Sequence, residues 1–375
     1  MKSKSFGQWL LVFTVVILNI LIIVYPSVAL EAARRGLFLW FNSVLPGVLP
    51  FVVGAYVLSA LGAVNLFGLA LSPVMKRFFR ISGRGGFALA LGLVSGYPIG
   101  AKIVCEMRGR GELGRVEAQR LLGFANNGGP LFILGAVASG MFGSAAFGYL
   151  LLITHYIGAV LVGLLMRLYG KRGAEAPQEA PPFIIAGRPK EPFGHILGQA
   201  VKNAMETMLL VGGFIVLFSV VSALLGQAGL FALIPFGGDY APALWSGLIE
   251  MTGGLGLASD FGITGGIAAL SAFLLGFGGL SIMFQSLSFV GKTDLKGGVY
   301  VLCKLAHGAI SAIAAFLMFP LFARAMERGQ AQTVFAPTIT RTFVNSAAAF
   351  AVTTAVLIIV CLTILAVGAI KKNPR

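Results

Sequence analysis

The chain has 375 residues, of which 57% are hydrophobic and only 11% are charged, and its mean hydropathy is +0.91. This composition is typical of helical membrane proteins with several spans and excludes an ordinary soluble globular domain. The net charge of +15 comes from Lys and Arg in short clusters between apolar runs, which fits topology signals and anionic lipid headgroups. We therefore expect the lipid bilayer as a partner and no nucleic acid.

Apolar runs of span length begin near the N-terminus, where residues 8–26 predict an uncleaved transmembrane anchor within the segment 1–32. Two interrupted apolar segments follow at about 86–107 and 116–142. Further spans are predicted at 145–169, 242–258, 264–290, 297–323 and 343–370. Two of them carry breaks of their own, at 250–254 and at 276–281. The count is about eight full spans, because each run approaches the ~20 residues that a bilayer requires.

Two further apolar stretches carry helix breakers in the middle and predict re-entrant helical hairpins. In 33–62, Pro46 and Pro50 divide the run into halves that are too short to cross about 30 Å of hydrocarbon. A single kinked span is the alternative for this stretch. In 195–226, the pair Gly212-Gly213 stands at the centre.

The interruptions inside 86–107 and 116–142 are Ser95-Gly96-Tyr97-Pro98 and Asn126-Asn127-Gly128-Gly129-Pro130. Each one frees backbone hydrogen-bonding groups at a depth where lipid cannot satisfy them. Such breaks are tolerated in a membrane only where they are buried in protein or line a water-filled cavity. One break alone would indicate a simple helix kink, but the pattern returns later in the chain.

The second half of the chain repeats the first in weak matches that keep the same order. LSALGAVNLFG at 58–68 matches VSALLGQAGLFA at 221–232, and LGLVSGYPIG at 91–100 matches SGLIEMTGGL at 246–255. LLGFANNGGP at 121–130 matches LLGFGGLSIM at 274–283. His155 and Met166 fall opposite His307 and Met318, and Ser95 falls opposite Glu250. These matches predict an internal duplication.

The duplication divides the chain into an anchor (1–32), a first repeat (33–170), a Pro-rich cytoplasmic linker (171–194), a second repeat (195–325) and a C-terminal helix with a basic tail (326–375). With a cytoplasmic N-terminus, counting spans places the starts of the two repeats on opposite faces and returns the C-terminus to the cytoplasm. The predicted fold is an all-α polytopic membrane protein with an inverted repeat, two re-entrant hairpins and interrupted transmembrane helices.

Inverted repeats with interrupted helices are an arrangement of secondary transporters, whose solute sites lie near the midplane. Exposed helix N-termini there bind anions through free N–H groups and the helix dipole. The candidate solute contacts gathered by the predicted breaks are Ser95, Gly96, Tyr97, Pro98, Lys102, Asn126, Asn127, Gly212, Gly213, Glu250, Thr252, Gly278, Gly279, Ser281 and Gln285.

Glu250 is the most informative single residue, because a carboxylate in mid-span is costly and marks a functional site by default. It has three candidate roles: coordinating a cation such as sodium, carrying a coupling proton, or hydrogen-bonding the solute. The alternative is a neutral Glu250 satisfied by backbone N–H groups at the Thr252-Gly253-Gly254 break. Lys102 either reaches a solute carboxylate or extends to the membrane interface.

Other polar residues point to no further chemistry. His155 and His307 are interpreted as helix-packing residues, and the single cysteines as small packing residues. The sequence has no phosphate-binding Gly-Lys loop, no Ser-His-Asp pattern and no HExxH. We expect no enzyme activity and no cofactor or metal beyond a coupling proton or sodium ion. The expected partner is a small-molecule solute, and homo-oligomerisation is left open.

The runs LWFNSVLPGVLPF, GLVSGYPIGAK, EAQRLLGFANNGGPLFILGAV and THYIGAVLVGLLMRLYG closely resemble the sporulation integral membrane protein YlbJ (SpoVV) family over roughly residues 30–325. The resemblance implies two nucleoside-recognition ("Gate") modules and a fold like that of concentrative nucleoside transporters. It also implies export of dipicolinic acid across the outer forespore membrane during endospore formation. The chain departs from the family pattern at the second break, where it reads Asn126-Asn127-Gly128-Gly129-Pro130. Nucleoside transport and a non-transporting structural or assembly role in the spore envelope are the alternatives.

Overall fold

The computed structural model describes residues 6–170, 191–233 and 237–332, and every regular element in these ranges is helical. The prediction of an all-α chain is therefore confirmed for the described residues. Most of the predicted linker (residues 171–190), the predicted last span (343–370) and the basic tail lie outside them.

The first half runs from α1 to α8 and contains three π-helical segments. Its elements are α1 (Phe6–Val24), α2 (Pro26–Leu39), a π-turn (Trp40–Val44), α3 (Leu45–Ala60), α4 (Ala63–Val74), a π-turn (Met75–Phe79), α5 (Gly85–Ser95), α6 (Ile99–Gly109), α7 (Arg115–Leu122), a π-helix (Leu131–Met141) and α8 (Ala145–Met166). The second half contains α9 (Phe193–Gln227), short 3-10 turns (Leu230–Leu233 and Gly238–Tyr240), α10 (Ala241–Ile249), α11 (Met251–Ser259), α12 (Gly265–Phe277), α13 (Gly279–Val290) and α14 (Gly297–Gln332).

Four stretches of the described residues are long and apolar enough to cross a membrane: Ala145–Met166, Phe193–Gln227, Gly265–Val290 and Gly297–Ala323. A fifth forms if Val12–Val24 of α1 and the helix Pro26–Asn42, which meet at a bend of 103°, count as one span. The predicted total of about eight spans stays a prediction.

The first predicted hairpin, 33–62, is wrong, because the chain stays helical from Pro26 to Ala60. Leu39, Val44 and Leu45, at the junctions with the π-turn, all keep right-handed helical backbone angles. The π-turn lies just before Pro46, and Pro50 lies inside α3. Local π-helical widening is a common way for a helix to absorb a defect without ending.

The second predicted hairpin, 195–226, is also wrong, because α9 is one helix of 35 residues without a break at Gly212-Gly213. At about 1.5 Å per residue, α9 is about 52 Å long. It packs antiparallel to α2. A Cβ on Gly36 would lie 3.0 Å from Val216 Cα, and the ring of Trp40 covers Gly212. Moving forward by one turn on the first helix therefore means moving back by one turn on α9. Trp40 Nε1 also donates to the carbonyl of Met208 at 2.9 Å. Close contact with an aromatic ring therefore explains Gly212 without a helix break.

The four other predicted breaks are confirmed. Helix α5 ends at Ser95 and α6 begins at Ile99, while α7 and the following π-helix are separated by residues 123–130. In the second half, Glu250 separates α10 from α11, and Gly278 separates α12 from α13. The long helix α14 packs along both α8 and α12. The breaks are thereby enclosed between helices.

Candidate functional site

The two breaks of the first half face each other at backbone contact distance. A Cβ on Gly96, whose φ is +84°, would lie 3.0 Å from the amide nitrogen of Gly129. Gly92 and Gly100, on either side of the first break, press against the carbonyl of Ala125, where any Cβ would overlap the oxygen. Glycine is required here because the chain segments approach too closely for a side chain.

The breaks of the second half meet in the same way. Gly278 and Gly279 both have left-handed backbone angles, with φ of +89° and +72°. A Cβ on Gly279 would lie 2.9 Å from the carbonyl oxygen of Gly247 and 3.1 Å from the amide nitrogen of Met251. The start of α13 thus touches the point where Glu250 interrupts the helix pair α10–α11.

Glu250 is buried, with 5% of its surface exposed, and its carboxylate caps the N-terminus of α11. It accepts hydrogen bonds from the amides of Thr252 at 3.0 Å and Gly253 at 2.7 Å. No ion pair of Glu250 exists within the part of the chain that the structure describes. The predicted alternative, a Glu250 satisfied by backbone N–H groups, is therefore formed here, but the residue also lines a cavity.

That cavity, the larger cavity, has a volume of about 1250 Å³ and lies between α2, the C-terminal end of α9, α10 and α11. Its polar lining includes Ser222, Ser246, Glu250 and Thr252, and the first two hydroxyls lie 2.9 Å apart. A smaller cavity of about 690 Å³ lies between the ends of α3 and α6 and the start of α9. Because α2–α3 and α9 are antiparallel, the two cavities lie at opposite ends of this helix pair.

Between the halves lies a buried group of polar side chains, the central polar cluster, formed by Tyr97, Asn126, His155, Lys304 and His307. Lys304 Nζ donates to the carbonyl of Asn126 at 2.9 Å and lies 3.1 Å from His307 Nδ1. It also lies 5.4 Å from the ring centroid of Tyr97. Nε2 of His307 lies 2.8 Å from the carbonyl of His155. The cluster thus joins the breaks of the first half to α14 of the second.

Neighbouring groups extend the cluster on both sides. The amide of Gly128 donates to His155 Nε2 at 2.9 Å. The side-chain amide of Asn126 donates to Ser286 Oγ at 2.9 Å and to the Tyr300 hydroxyl at 2.7 Å. The Tyr97 hydroxyl donates to the carbonyl of Leu275 across the halves. Two freed backbone groups of the second break, the Gly128 amide and the Asn126 carbonyl, therefore find side-chain partners in the protein.

The predicted site residues divide into those near the breaks and those away from them. Ser95 and Asn127 are buried at the first pair of breaks, with Ser95 Oγ and Asn127 Oδ1 unpaired among the described atoms. Ser281 and Gln285 are buried on α13 and hydrogen-bond each other at 3.3 Å. Gly213 is exposed on α9.

Lys102 points inward, and its side chain is 15% exposed. It donates to Thr207 Oγ1, lies 3.9 Å from Glu106 and packs over the ring of Tyr56, whose centroid is 5.1 Å away. Tyr56 and Glu106 line the smaller cavity, so Lys102 lies next to that cavity. Whether Lys102 reaches the solute or extends to the membrane interface stays a prediction.

Sequence analysis missed Lys304, Tyr300 and Ser286. A signal for Lys304 was available, because it is a charged residue within the apolar span 297–323, as Glu250 is within its own span. Tyr300, Lys304, His307 and Ser311 also recur at helical spacing on one face of α14. Among the described residues, no group of three or more His, Cys, Asp or Glu could hold a metal ion.

Apolar helices long enough to cross a bilayer, with helix breaks enclosed by protein, define a helical integral membrane protein. The chain is 36% identical over 327 residues to the sporulation integral membrane protein YlbJ of Bacillus subtilis (strain 168). The match covers 80% of this chain and 80% of that relative. The chain therefore belongs to the YlbJ family. No protein-family model matches it. No solved structure matches it either.

Proposed function

We propose that the protein is a membrane transporter for a small anionic solute. The observation that carries the proposal is the pairing of helix breaks: Gly96 meets Gly129 in one half, and Gly279 meets Met251 in the other. Interrupted backbone is costly in a membrane and is tolerated where it is buried in protein or lines a cavity, and secondary transporters place their solute sites at such breaks. A protein that only anchors or packs in the bilayer has no need for four such breaks.

We further propose that the two halves are inverted repeats. In each half a broken helix pair is followed by a second broken pair and then by a long helix: α5–α6, α7 with its π-helix, and α8 correspond to α10–α11, α12–α13 and α14. The stretch α2–α3 corresponds to α9, and these two elements pack antiparallel. Elements related by an inverted repeat are expected to run in opposite directions where they meet. The repeats would occupy 33–170 and 195–325.

The cavities support alternating access between two mouths. The larger cavity and the smaller cavity use corresponding elements of the proposed repeats and lie at opposite ends of the pair formed by α2–α3 and α9. Between them, α9 is packed by Trp40 and apolar side chains. Glu250 on the wall of the larger cavity would carry the coupling proton or bind a coupling sodium ion. Lys102 would attract the anion at the smaller cavity.

For the solute, we propose dipicolinic acid, moved across the outer forespore membrane during sporulation. The supports are membership of a family whose Bacillus subtilis relative is named a sporulation integral membrane protein and the cationic side chains next to the breaks. Dipicolinate is a planar dianion, which suits Lys102 and free helix N–H groups. This proposal assigns the protein a transport function without enzyme activity.

The test is uptake of radiolabelled dipicolinate by proteoliposomes that contain the full-length protein. We expect time-dependent uptake above that of empty liposomes, with competition by excess unlabelled dipicolinate. Absence of uptake in either protein orientation, and with either a proton or a sodium gradient, would refute the proposal. Competition by uridine rather than by dipicolinate would favour a nucleoside transporter.

A structural role in the spore envelope is separated by a genetic test. A strain lacking the gene should form spores with little dipicolinate, and the wild-type chain should restore it. Replacement of both Asn126 and Asn127 by Ala should prevent that rescue if the break contacts the solute. Full rescue by the double variant at normal abundance would favour the structural alternative.

A further inference from the structure

We propose that the central polar cluster is a carboxylate-binding site in which Lys304 supplies the positive charge. This inference rests on the proposed function and names the group that would recognise the anionic solute. It concerns a residue on α14 that is separate from both cavities, since neither is lined by Lys304.

Lys304 carries a buried charge that no described carboxylate balances. Lys304 is 1% exposed, and it lies seven residues into a span that begins at Gly297, or about 10 Å from its start. Within the described residues, no carboxylate lies within 4.0 Å of its ammonium group. Charged groups buried in a membrane protein pair with an opposite charge or with backbone carbonyls, and they mark solute and ion paths. Lys304 has only neutral partners, the Asn126 carbonyl and His307, so a carboxylate of the solute would be its first ionic partner.

Near Lys304, the imidazole of His155 has a hydrogen-bond donor without a partner among the described atoms. The amide of Gly128 donates to His155 Nε2, so a neutral His155 carries its proton on Nδ1. That Nδ1 is fully buried and has no partner among the described atoms. The imidazole lies in contact with His307, at 4.5 Å between ring centroids, and His307 in turn contacts Lys304. An unused N–H donor therefore accompanies the unpaired cation in one cluster.

Lys304 lies where the two breaks of the first half meet α14. Lys304 bonds the carbonyl of Asn126, a residue of the second break, and it lies over the ring of Tyr97, a residue of the first. Both breaks of the first half therefore converge on this one ammonium group. If the two breaks, which touch in this structure, move apart, a carboxylate that enters between them would meet the Lys304 ammonium, and the His155 N–H lies in the same cluster. Donors of this kind form short, strong hydrogen bonds to carboxylates.

The experiment compares two probes of the same shape, pyridine-2,6-dicarboxylate and the neutral pyridine-2,6-dicarboxamide, by calorimetric binding to the full-length protein in nanodiscs. The readout is the ratio of their dissociation constants, which isolates recognition of charge from recognition of shape. We expect wild type to favour the dicarboxylate by tenfold or more and Lys304→Met to abolish most of that preference. The control Lys296→Met removes an exposed charge at the start of α14 and should leave the ratio unchanged.

A second pair of variants guards against misfolding of Lys304→Met. His307→Glu gives Lys304 an internal carboxylate one turn away, whereas His307→Gln keeps a neutral acceptor of the same shape. We expect His307→Glu to lose the dicarboxylate preference and His307→Gln to keep it.

The outcomes separate the two proposals. A wild-type preference that survives in both Lys304→Met and His307→Glu would overturn the role of Lys304 and leave anion transport intact. A wild type with no preference for the dicarboxylate would overturn the anionic solute itself, and the carboxylate site with it.

Discussion

Replacing Gly279 by Ala tests whether the breaks of the second half touch as described. The residue has φ of +72°, and a Cβ there would lie 2.9 Å from the Gly247 carbonyl oxygen. The left-handed angle costs a non-glycine residue about 1–2 kcal/mol. Forcing an extra methyl group into packed surroundings costs about 1–3 kcal/mol more. We expect a total loss of about 2–5 kcal/mol, seen as a lower melting temperature of the detergent-solubilised protein.

The matched control is Gly213→Ala on α9. Gly213 is exposed, and a Cβ there meets no atom within 4 Å. Because Ala is favoured over Gly inside a helix by about 1 kcal/mol, this variant should melt at the same or a slightly higher temperature. Equal destabilisation by both variants would refute the reasoning, since it would mean that Gly213 lies at a break and that α9 is a hairpin after all.

Two other contacts give measurable expectations. Trp40→Ala should destabilise the protein by about 2–4 kcal/mol, which is somewhat below the range for a fully buried aromatic residue. Trp40→Phe should cost less in the same melting assay, because a phenyl ring still covers Gly212. Arg108 binds Asp294 through two hydrogen bonds of 3.0 and 2.9 Å, and a double-mutant cycle should give less than about 1 kcal/mol for this partly exposed pair. Since Arg108 lowers the pKa of Asp294 below its ordinary value, the contribution should be present at neutral pH and disappear only as the pH falls through that lowered pKa; a contribution that grows in acid would contradict the assignment.

The sequence located the helix breaks because they carry strong local signals. Gly-Pro clusters and polar side chains inside apolar runs mark residues 95–98 and 126–130, and a buried acid marks Glu250. These signals are local because the cause is local: the backbone at the break needs glycine or an acceptor side chain at that very position. Their pairing across space could be expected only through the repeat.

The hairpins were mispredicted because a helix breaker does not always end a helix. Pro46 follows a π-turn and Pro50 costs only a local hydrogen bond, so the helix continues. Gly212 is small because Trp40 packs on it from another helix, and no local pattern reveals that contact. The length of the stretch 33–62 was also misleading. Each half is too short to span the bilayer alone, but the two halves belong to one continuous helical stretch.

Lys304 was not predicted as a site residue for a related reason. Its bond to Asn126 joins residues 178 positions apart, so nothing near Lys304 in the sequence indicates what it contacts. Lysines near span ends commonly extend to the interface, and only the tertiary arrangement distinguishes that case from a buried ammonium group.

Glu250 and Lys304, the two buried charged residues assigned to the proposed site, both belong to the second half. Ser95 corresponds to Glu250, and the alignment that pairs His155 with His307 pairs Leu152 with Lys304. Glu250 is held by the amides of α11 at the larger cavity, whereas Lys304 lies at the breaks of the first half. The two charges can therefore serve different steps, with Glu250 coupling transport to an ion and Lys304 recognising the solute.

This division of roles predicts opposite phenotypes. Glu250→Gln should remove the dependence of dipicolinate flux on a proton or sodium gradient in proteoliposomes, yet keep the preference for dicarboxylate over dicarboxamide. Lys304→Met should lose that preference, while any remaining flux keeps its dependence on the gradient. The physical reason is that neither group forms an ion pair with the other, so removing one charge leaves the surroundings of the other unchanged. If each variant altered both properties to the same degree, the two charges would act as one coupled pair, and the separation of coupling from recognition would be wrong.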